Sequence, residues 1–211
     1  NLATQASRDI EKDAAAPTLT INTVAGDDII NALEDNSPVT ISGTTDAEDG
    51  QTVTVVLNGV TYTATVSGGT WSLDVPAVDA QGLAAGTHTI TADVSDAAGN
   101  PATQATRDIE KDAAAPTIPT VVSQTTDDTT PVISGTADAG TTVTVVVGGA
   151  TYTIVADATG NWSIDTETVS PTSGVFAPEV NGTNEVVVTS TDGSGNSSTD
   201  ATSGELIINQ N

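Results

Sequence analysis

The chain has no cysteine, few aromatic residues and almost no positive charge, and each shortage excludes a class of protein. Without cysteine no disulfide can brace the fold, and no thiolate can serve as nucleophile or metal ligand. Aromatic residues make up only 2% of the 211 positions. Tyr62, Tyr152 and Phe176 are too few to line the cleft that a pair of glycosidase carboxylates needs. Lys and Arg together number 4 against 28 Asp and Glu, a formal net charge of −24. No basic patch exists to neutralise phosphate, which excludes nucleic acid as a partner and disfavours an anionic membrane surface. The sequence holds no signal peptide and no apolar run long enough to span a bilayer, so no direct membrane insertion is expected. It begins abruptly and reads as an excerpt of something longer. The single histidine, His88, stands at the start of a strand and reads as a surface residue, leaving a Ser-His-Asp arrangement one candidate at most. HExxH, GxSxG and phosphate-loop motifs do not occur. The chain is therefore expected not to be an enzyme.

What is present is Thr, Val, Ser, Gly and Asp in short alternating runs, a composition that suits β-strands joined by tight turns. The runs repeat. ATQASRDIEKDAAAPTL from Ala3 recurs as ATQATRDIEKDAAAPTI from Ala102, and all four bases (Arg8, Lys12, Arg107, Lys111) lie in these two copies. VTISGTTDAEDG from Val39 corresponds to PVISGTADAG from Pro131, and TVTVVLNGVTYTATV from Thr52 to TVTVVVGGATYTIVA from Thr142. GTWSLDV around Trp71 matches GNWSIDT around Trp162, and DAAGN at Asp96 matches DGSGN at Asp192. The order is kept and the spacing drifts slightly, as changes in loop length produce. The phase makes residues 1–12 the last strand of a preceding repeat, 13–111 one repeat and 112–211 a second. The Ala-Ala-Ala-Pro runs after Asp13 and Asp112 form the stiff junctions.

Within the first repeat Thr18–Ile21, Val39–Ser42, Val53–Leu57, Thr61–Val66, Trp71–Val75, Thr87–Val94 and Ala102–Ile109 read as strands with a period of two. About seven such strands with Gly, Asn and Asp punctuation give an all-β fold of two tandem immunoglobulin-like Greek-key β-sandwich repeats in an extended array. Trp71 and Trp162 are the large core anchors, and Ile90, Ala92 and Val94 alternate inward. No segment shows a helical stripe.

The run DAAAPTLTINTVAGDDIINALE, followed by VTISGTT, GQTVTVVLNGVTYTATV, GTWSLDVPA and ITADVSDAAGN, resembles the bacterial Ig-like repeats of giant RTX, biofilm-type adhesins exported by type I secretion. The second repeat, with TDDTTPVISGTADAG, is similar to a sister subtype. The resemblance implies an extracellular spacer at the bacterial cell surface, with Ca²⁺ at the junctions between repeats. It also implies neighbouring repeats of the same chain as partners, a host or surface ligand bound by other domains, and a monomer.

The placement of carboxylates argues for Ca²⁺ separately, because this ion takes six to eight oxygen ligands from loop Asp, Asn and carbonyl groups. The acids cluster between strands: Asp27 and Asp28 with Glu34 and Asp35; Asp46, Glu48 and Asp49; Asp96 with Asn100. The second repeat carries Asp127 and Asp128, then Asp138, then Asp192 with Asn196. In a Greek-key sandwich the first-to-second strand loop sits at the exit pole, and the second-to-third loop and last hairpin at the entry pole. Asp27 and Asp28 should then face Asp138, Asp192 and Asn196 with Asp112 between them. Asp13, Asp46, Asp49, Asp96 and Asn100 form the entry set of the first repeat, and Asp127 and Asp128 the free end. Against this stands the role of Asp and Asn as ordinary solvated turn residues. The alternative function is a glycan- or protein-binding module using the insertion at residues 170–184, where Phe176 would be an exposed contact.

Overall fold

A computed structural model of the chain describes Arg8 and residues 12–210. The expected terminal strand over 1–12 lies, apart from Arg8 and Lys12, outside the described residues. Two compact units result: one takes the described residues up to Ile30 together with Glu34–Asp112, the other Asn31–Leu33 with residues 113–210.

In the first unit the strands are β1 (Ile29–Ile30), β2 (Val39–Thr44), β3 (Thr52–Leu57), β4 (Val60–Thr65), β5 (Thr70–Val75), β6 (Gly86–Asp93) and β7 (Ala105–Lys111). One sheet runs β1-β7-β6-β3-β4, and β2 pairs with β5 in the other. Alternation places the core. Val53, Val55 and Leu57 of β3 and Ile90 and Ala92 of β6 point inward and are buried. They pack with Ile41, Trp71 and Val75 of the facing sheet. The short β1 runs parallel to β7, with Ile29 opposite Glu110, while the other pairs are antiparallel. The β3–β4 hairpin turns on Asn58 and Gly59, both at positive φ (51° and 77°), the two-residue geometry that matches strand twist.

The sequence Ser-Gly-Thr fixes one contact of both sandwiches. Gly43 of β2 stands opposite Trp71 of β5 in register. A Cβ there would lie 1.9 Å from the Thr20 carbonyl oxygen and 2.6 Å from the indole Cζ2. The extended segment at Thr18–Ile21 lies along β2, with the Thr20 amide donating to the Thr44 carbonyl and the Asn22 amide to that of Ser42. Only glycine lets backbone and indole close on the same point.

The second unit contains β8 (Thr120–Val121), β9 (Gln124–Thr126), β10 (Val132–Thr136), β11 (Thr142–Val147), β12 (Ala150–Val155), β13 (Asn161–Asp165), β14 (Ser173–Gly174), β15 (Gly182–Asn184), β16 (Val186–Thr191), β17 (Ser197–Thr199) and β18 (Leu206–Ile208). Gly135 faces Trp162 as Gly43 faces Trp71, and a Cβ on it would lie 1.8 Å from the Thr120 carbonyl oxygen. The core gathers Ile133, Val143, Val145, Tyr152, Trp162, Ile164 and Val188. The long final hairpin of the first unit is broken here into β16–β17 and β15–β18. Buried Glu205 accepts the Val186 amide at the break, 3.3 Å.

Two features depart from the expected pattern. Residues Ala77–Gln81 form a short helix, α1, entered through Pro76, where only strands and turns were expected. Five residues are too few for a helical period to show, and the buried Ala80 is what the turn contributes to the core. Glu34–Asn36 form a 3₁₀ turn that buries Asp35.

Candidate cation-binding loops

The bases are used structurally before any cation need be considered. Arg107 on β7 grips Asp28, donating from Nε at 2.6 Å to Oδ1 and from Nη2 at 2.5 Å to Oδ2, each side chain 27% exposed. The fork also donates to the Ile21 carbonyl and to Thr23 Oγ1. The guanidinium holds the Asp28 carboxyl below the usual carboxylate range. Lys111 at the end of β7 donates to Asp35, both residues buried, 3% and 7% exposed. Pairs separated by 79 and 76 residues in sequence carry no local signal, and neither was anticipated.

At the other end of the first unit the loops bring Asp13, Asp46, Glu48 and Asp96 around one concavity of about 180 Å³, with Ala15, Ala16 and Pro17 completing its wall. Each carboxylate is oriented by backbone. Asp13 Oδ1 accepts from the Ala15 amide at 3.0 Å, Asp46 Oδ1 from Thr18 at 2.5 Å and Glu48 Oε2 from Ala97 at 2.9 Å. Asp96 accepts both the amide and the side-chain nitrogen of Asn100, each at 2.7 Å. Those donors hold Asp46 and Asp96 low, Thr18 being the largest cause for the first and Asn100 for the second. Asp49 turns aside to accept from the Gly68 amide, 2.7 Å, and neither it nor Asn100 lines the concavity. Glu48, named in the acidic cluster but left out of the expected entry set, lines it.

In the second unit the matching residues repeat this chemistry. Asp138 accepts the amide and hydroxyl of Thr117 at 2.7 and 2.6 Å, which lowers its pKa. Asp192 Oδ1 accepts the amides of Ser194 and Asn196, each at 2.9 Å, and Oδ2 the Asn196 side-chain nitrogen at 3.3 Å. Asn196 is buried, and its Oδ1 takes the amide of Ala32, a residue grouped with this unit. Among the other expected ligands, Asp27 caps the Ile29 amide, and Asp128 accepts the amide and hydroxyl of Thr130. The Asp112 amide donates to Ile30, and the Asp127 carbonyl accepts from Gln210. Among the described residues no three Asp, Glu or His groups stand in a ready coordinating arrangement. The concavity holds oriented carboxylates that a cation could draw together.

Phe176 is half-buried rather than an exposed contact: its ring packs edge-on against Tyr152, centroids 6.5 Å apart. His88 Nε2 lies 2.8 Å from the Ala84 carbonyl oxygen.

A parallel β1–β7 pair in the first unit, a two-sheet core and a Gly–Trp contact repeated in each unit define an immunoglobulin-like sandwich. Residues 22–113 match the bacterial Ig-like domain family, and the chain belongs to that family. Among solved structures, it is 32% identical over 93% of its length to one described as a Ca²⁺-stabilised adhesin that helps an Antarctic bacterium reach out and bind ice, with a TM-score of 0.55. It is 39% identical to a bacterial immunoglobulin-like domain from the M. primoryensis ice-binding adhesin, over 47% of this chain and 100% of that one, TM-score 0.37. A third, from work on host cell surface retention of a 1.5-MDa bacterial ice-binding adhesin, is 30% identical over 91% of this chain, TM-score 0.49. The chain spans 50% of the first of these and 65% of the third. No curated protein matches it.

Proposed function

We propose that the chain is a pair of non-catalytic extender repeats, residues 13–111 and 112–211, from a bacterial surface adhesin. Ca²⁺ taken up by the acidic loops stiffens the succession of repeats and so projects distal binding domains into the medium. Membership of the bacterial Ig-like family and the 32% identity to a Ca²⁺-stabilised adhesin support the reading. The observation that carries it is electrostatic. Two of the four bases are consumed in pairs with Asp28 and Asp35, while Asp13, Asp46, Glu48 and Asp96 face one concavity with no base among its lining residues. Carboxylates gathered in this way repel unless a cation joins them.

The junction set proposed for Ca²⁺ is Asp27, Asp28, Asp112, Asp138, Asp192 and Asn196, with Asp13, Asp46, Asp49, Asp96 and Asn100 as its equivalent before the first repeat and Asp127 and Asp128 after the second. Extracellular modules bind Ca²⁺ with Kd of about 10⁻⁴–10⁻³ M. At about 10 mM Ca²⁺ each occupied site then stabilises the folded state by roughly 1.4–2.7 kcal/mol. Small-angle scattering with Ca²⁺ and with EDTA tests the stiffening: chelation should broaden the distance distribution and shift its maximum. Identical distributions would refute it.

A further inference from the structure

The two units treat the same sheet edge differently. In each the edge is the second strand of the central hairpin, β4 or β12, and register makes Leu57, Asn58, Val60 and Tyr62 equivalent to Val147, Gly148, Ala150 and Tyr152. In the second unit the edge is covered by the chain's own segment. β14 pairs with β12, Ser173 opposite Thr151 and Gly174 opposite Ala150, and the Thr172 amide donates to the Thr151 carbonyl at 2.8 Å. Phe176 then lays its ring against Gly148 and Tyr152. Ala150 and Tyr152 are 0% and 1% exposed as a result.

In the first unit no strand follows β4 in its sheet among the described residues. The connection that supplies β14 and Phe176 in the second unit is replaced by α1, which offers no strand to β4. Val60 is 43% exposed where Ala150 is fully buried. At the place that Phe176 fills in the sister unit there is a concavity of about 150 Å³, lined by Leu57, Asn58, Val60 and Tyr62 with Val78 and Asp79 of α1. Tyr62 is held there by its hydroxyl, which donates to Asp79 Oδ2 at 2.8 Å.

We propose that this end of β4 is a docking edge for an extended segment of a partner protein, neutral or basic and carrying one aromatic side chain. The segment adds as an antiparallel strand beside Val60–Tyr62, and its ring enters the concavity as Phe176 does in the second unit. Charge selects the partner. The ionisable groups lining the site are Asp79 and Tyr62, no base stands there, and the whole chain carries −24, so a second copy is repelled where a neutral or basic strand is not. The proposal is independent of the Ca²⁺ reading, since none of the acidic-loop residues takes part.

The probe is the capped peptide Pro-Thr-Ser-Gly-Val-Phe-Ala-Pro, copied from residues 171–178 and extended by two lysines. It is titrated into the full chain with amide shifts followed by NMR. Saturable shifts at Asn58, Val60, Thr61 and Tyr62 are expected. Replacing the peptide Phe with Ala should weaken binding at least tenfold, and ending the peptide in two glutamates should weaken it several-fold at low salt. In the protein, Val78→Lys at a position 71% exposed should abolish the shifts without lowering the melting temperature. Thr61→Pro, which removes an edge amide, should do the same. No saturable shift at β4 with millimolar peptide, or equal binding of the Phe and Ala peptides, would overturn the proposal. Concentration-dependent shifts of the same amides in the chain alone would assign the edge to a second copy and overturn it as well.

Discussion

Removing the Lys111 ammonium should damage the first unit more than removing both members of its ion pair. Lys111 and Asp35 are 3% and 7% exposed, so Lys111→Ala leaves a carboxylate in the interior without its counter-charge. Breaking one side of a buried pair costs about 3–5 kcal/mol, whereas replacing both sides with apolar groups is often neutral or stabilising. The sister unit supplies the control. Register places Ile208 where Lys111 stands, since Gly86 pairs with Lys111 and Gly182 with Ile208. Counting back from Pro38 and Pro131 aligns Asp35 with Asp128, which is exposed and accepts from Thr130 instead. Without the lysine, the acid stays outside. The double substitution Lys111→Ile with Asp35→Leu should therefore unfold within about 1 kcal/mol of the parent or later. Chemical denaturation followed by tryptophan fluorescence in a Trp162→Phe background reports the first unit alone, through Trp71. A loss below about 1 kcal/mol for Lys111→Ala would refute the reasoning, as would a double variant no better than the single.

Other outcomes follow from the same contacts. Gly43→Ala and Gly135→Ala each force a Cβ into a carbonyl oxygen and an indole, and each should cost about 3 kcal/mol in its own unit, read by thermal unfolding. Asp28 is held low by Arg107 and Asp46, Asp96 and Asp138 by hydrogen bonds, so their stabilisation is complete above the ordinary carboxylate range and is lost as pH falls through the lowered values. Melting temperature should therefore fall steeply below about pH 4, and Arg107→Gln should flatten the part due to Asp28. Phe176→Ala should destabilise the second unit by about 1–2 kcal/mol by uncovering Tyr152, a change that denaturant midpoints would resolve.

The sheets were legible because their physics is local. Val53, Val55 and Leu57 alternate as a half-buried strand must, and Asn58-Gly59 announces its hairpin. Matching segments then carried the first unit's pattern onto the second. The short helix at Ala77–Gln81 was not legible, because its only inward residue is Ala80. The break between β15 and β16 was likewise hidden, since Asn184-Glu-Val reads as continuous strand until Glu205 is seen to take the Val186 amide. At the acidic loops, sequence named most of the residues but not their orientation. That Asp46 turns to Thr18 and Asp49 away to Gly68 is decided by amides 28 and 19 residues distant. The two ion pairs escaped for the same reason: the bases were visible as a repeated motif, but their partners, 79 and 76 residues away in sequence, lie beside β1, the strand that pairs with β7, and in the 3₁₀ turn that follows it.

The central claim is that the acidic loops bind Ca²⁺ in the folded state, and thermal melting of the chain with 10 mM Ca²⁺ against EDTA tests it most directly. With about 1.4–2.7 kcal/mol per site, the midpoint should rise by at least about 5 °C, and Asp46→Asn with Asp96→Asn should remove part of the rise. Equal midpoints in Ca²⁺ and EDTA would reduce the loops to solvated turns and contradict the account.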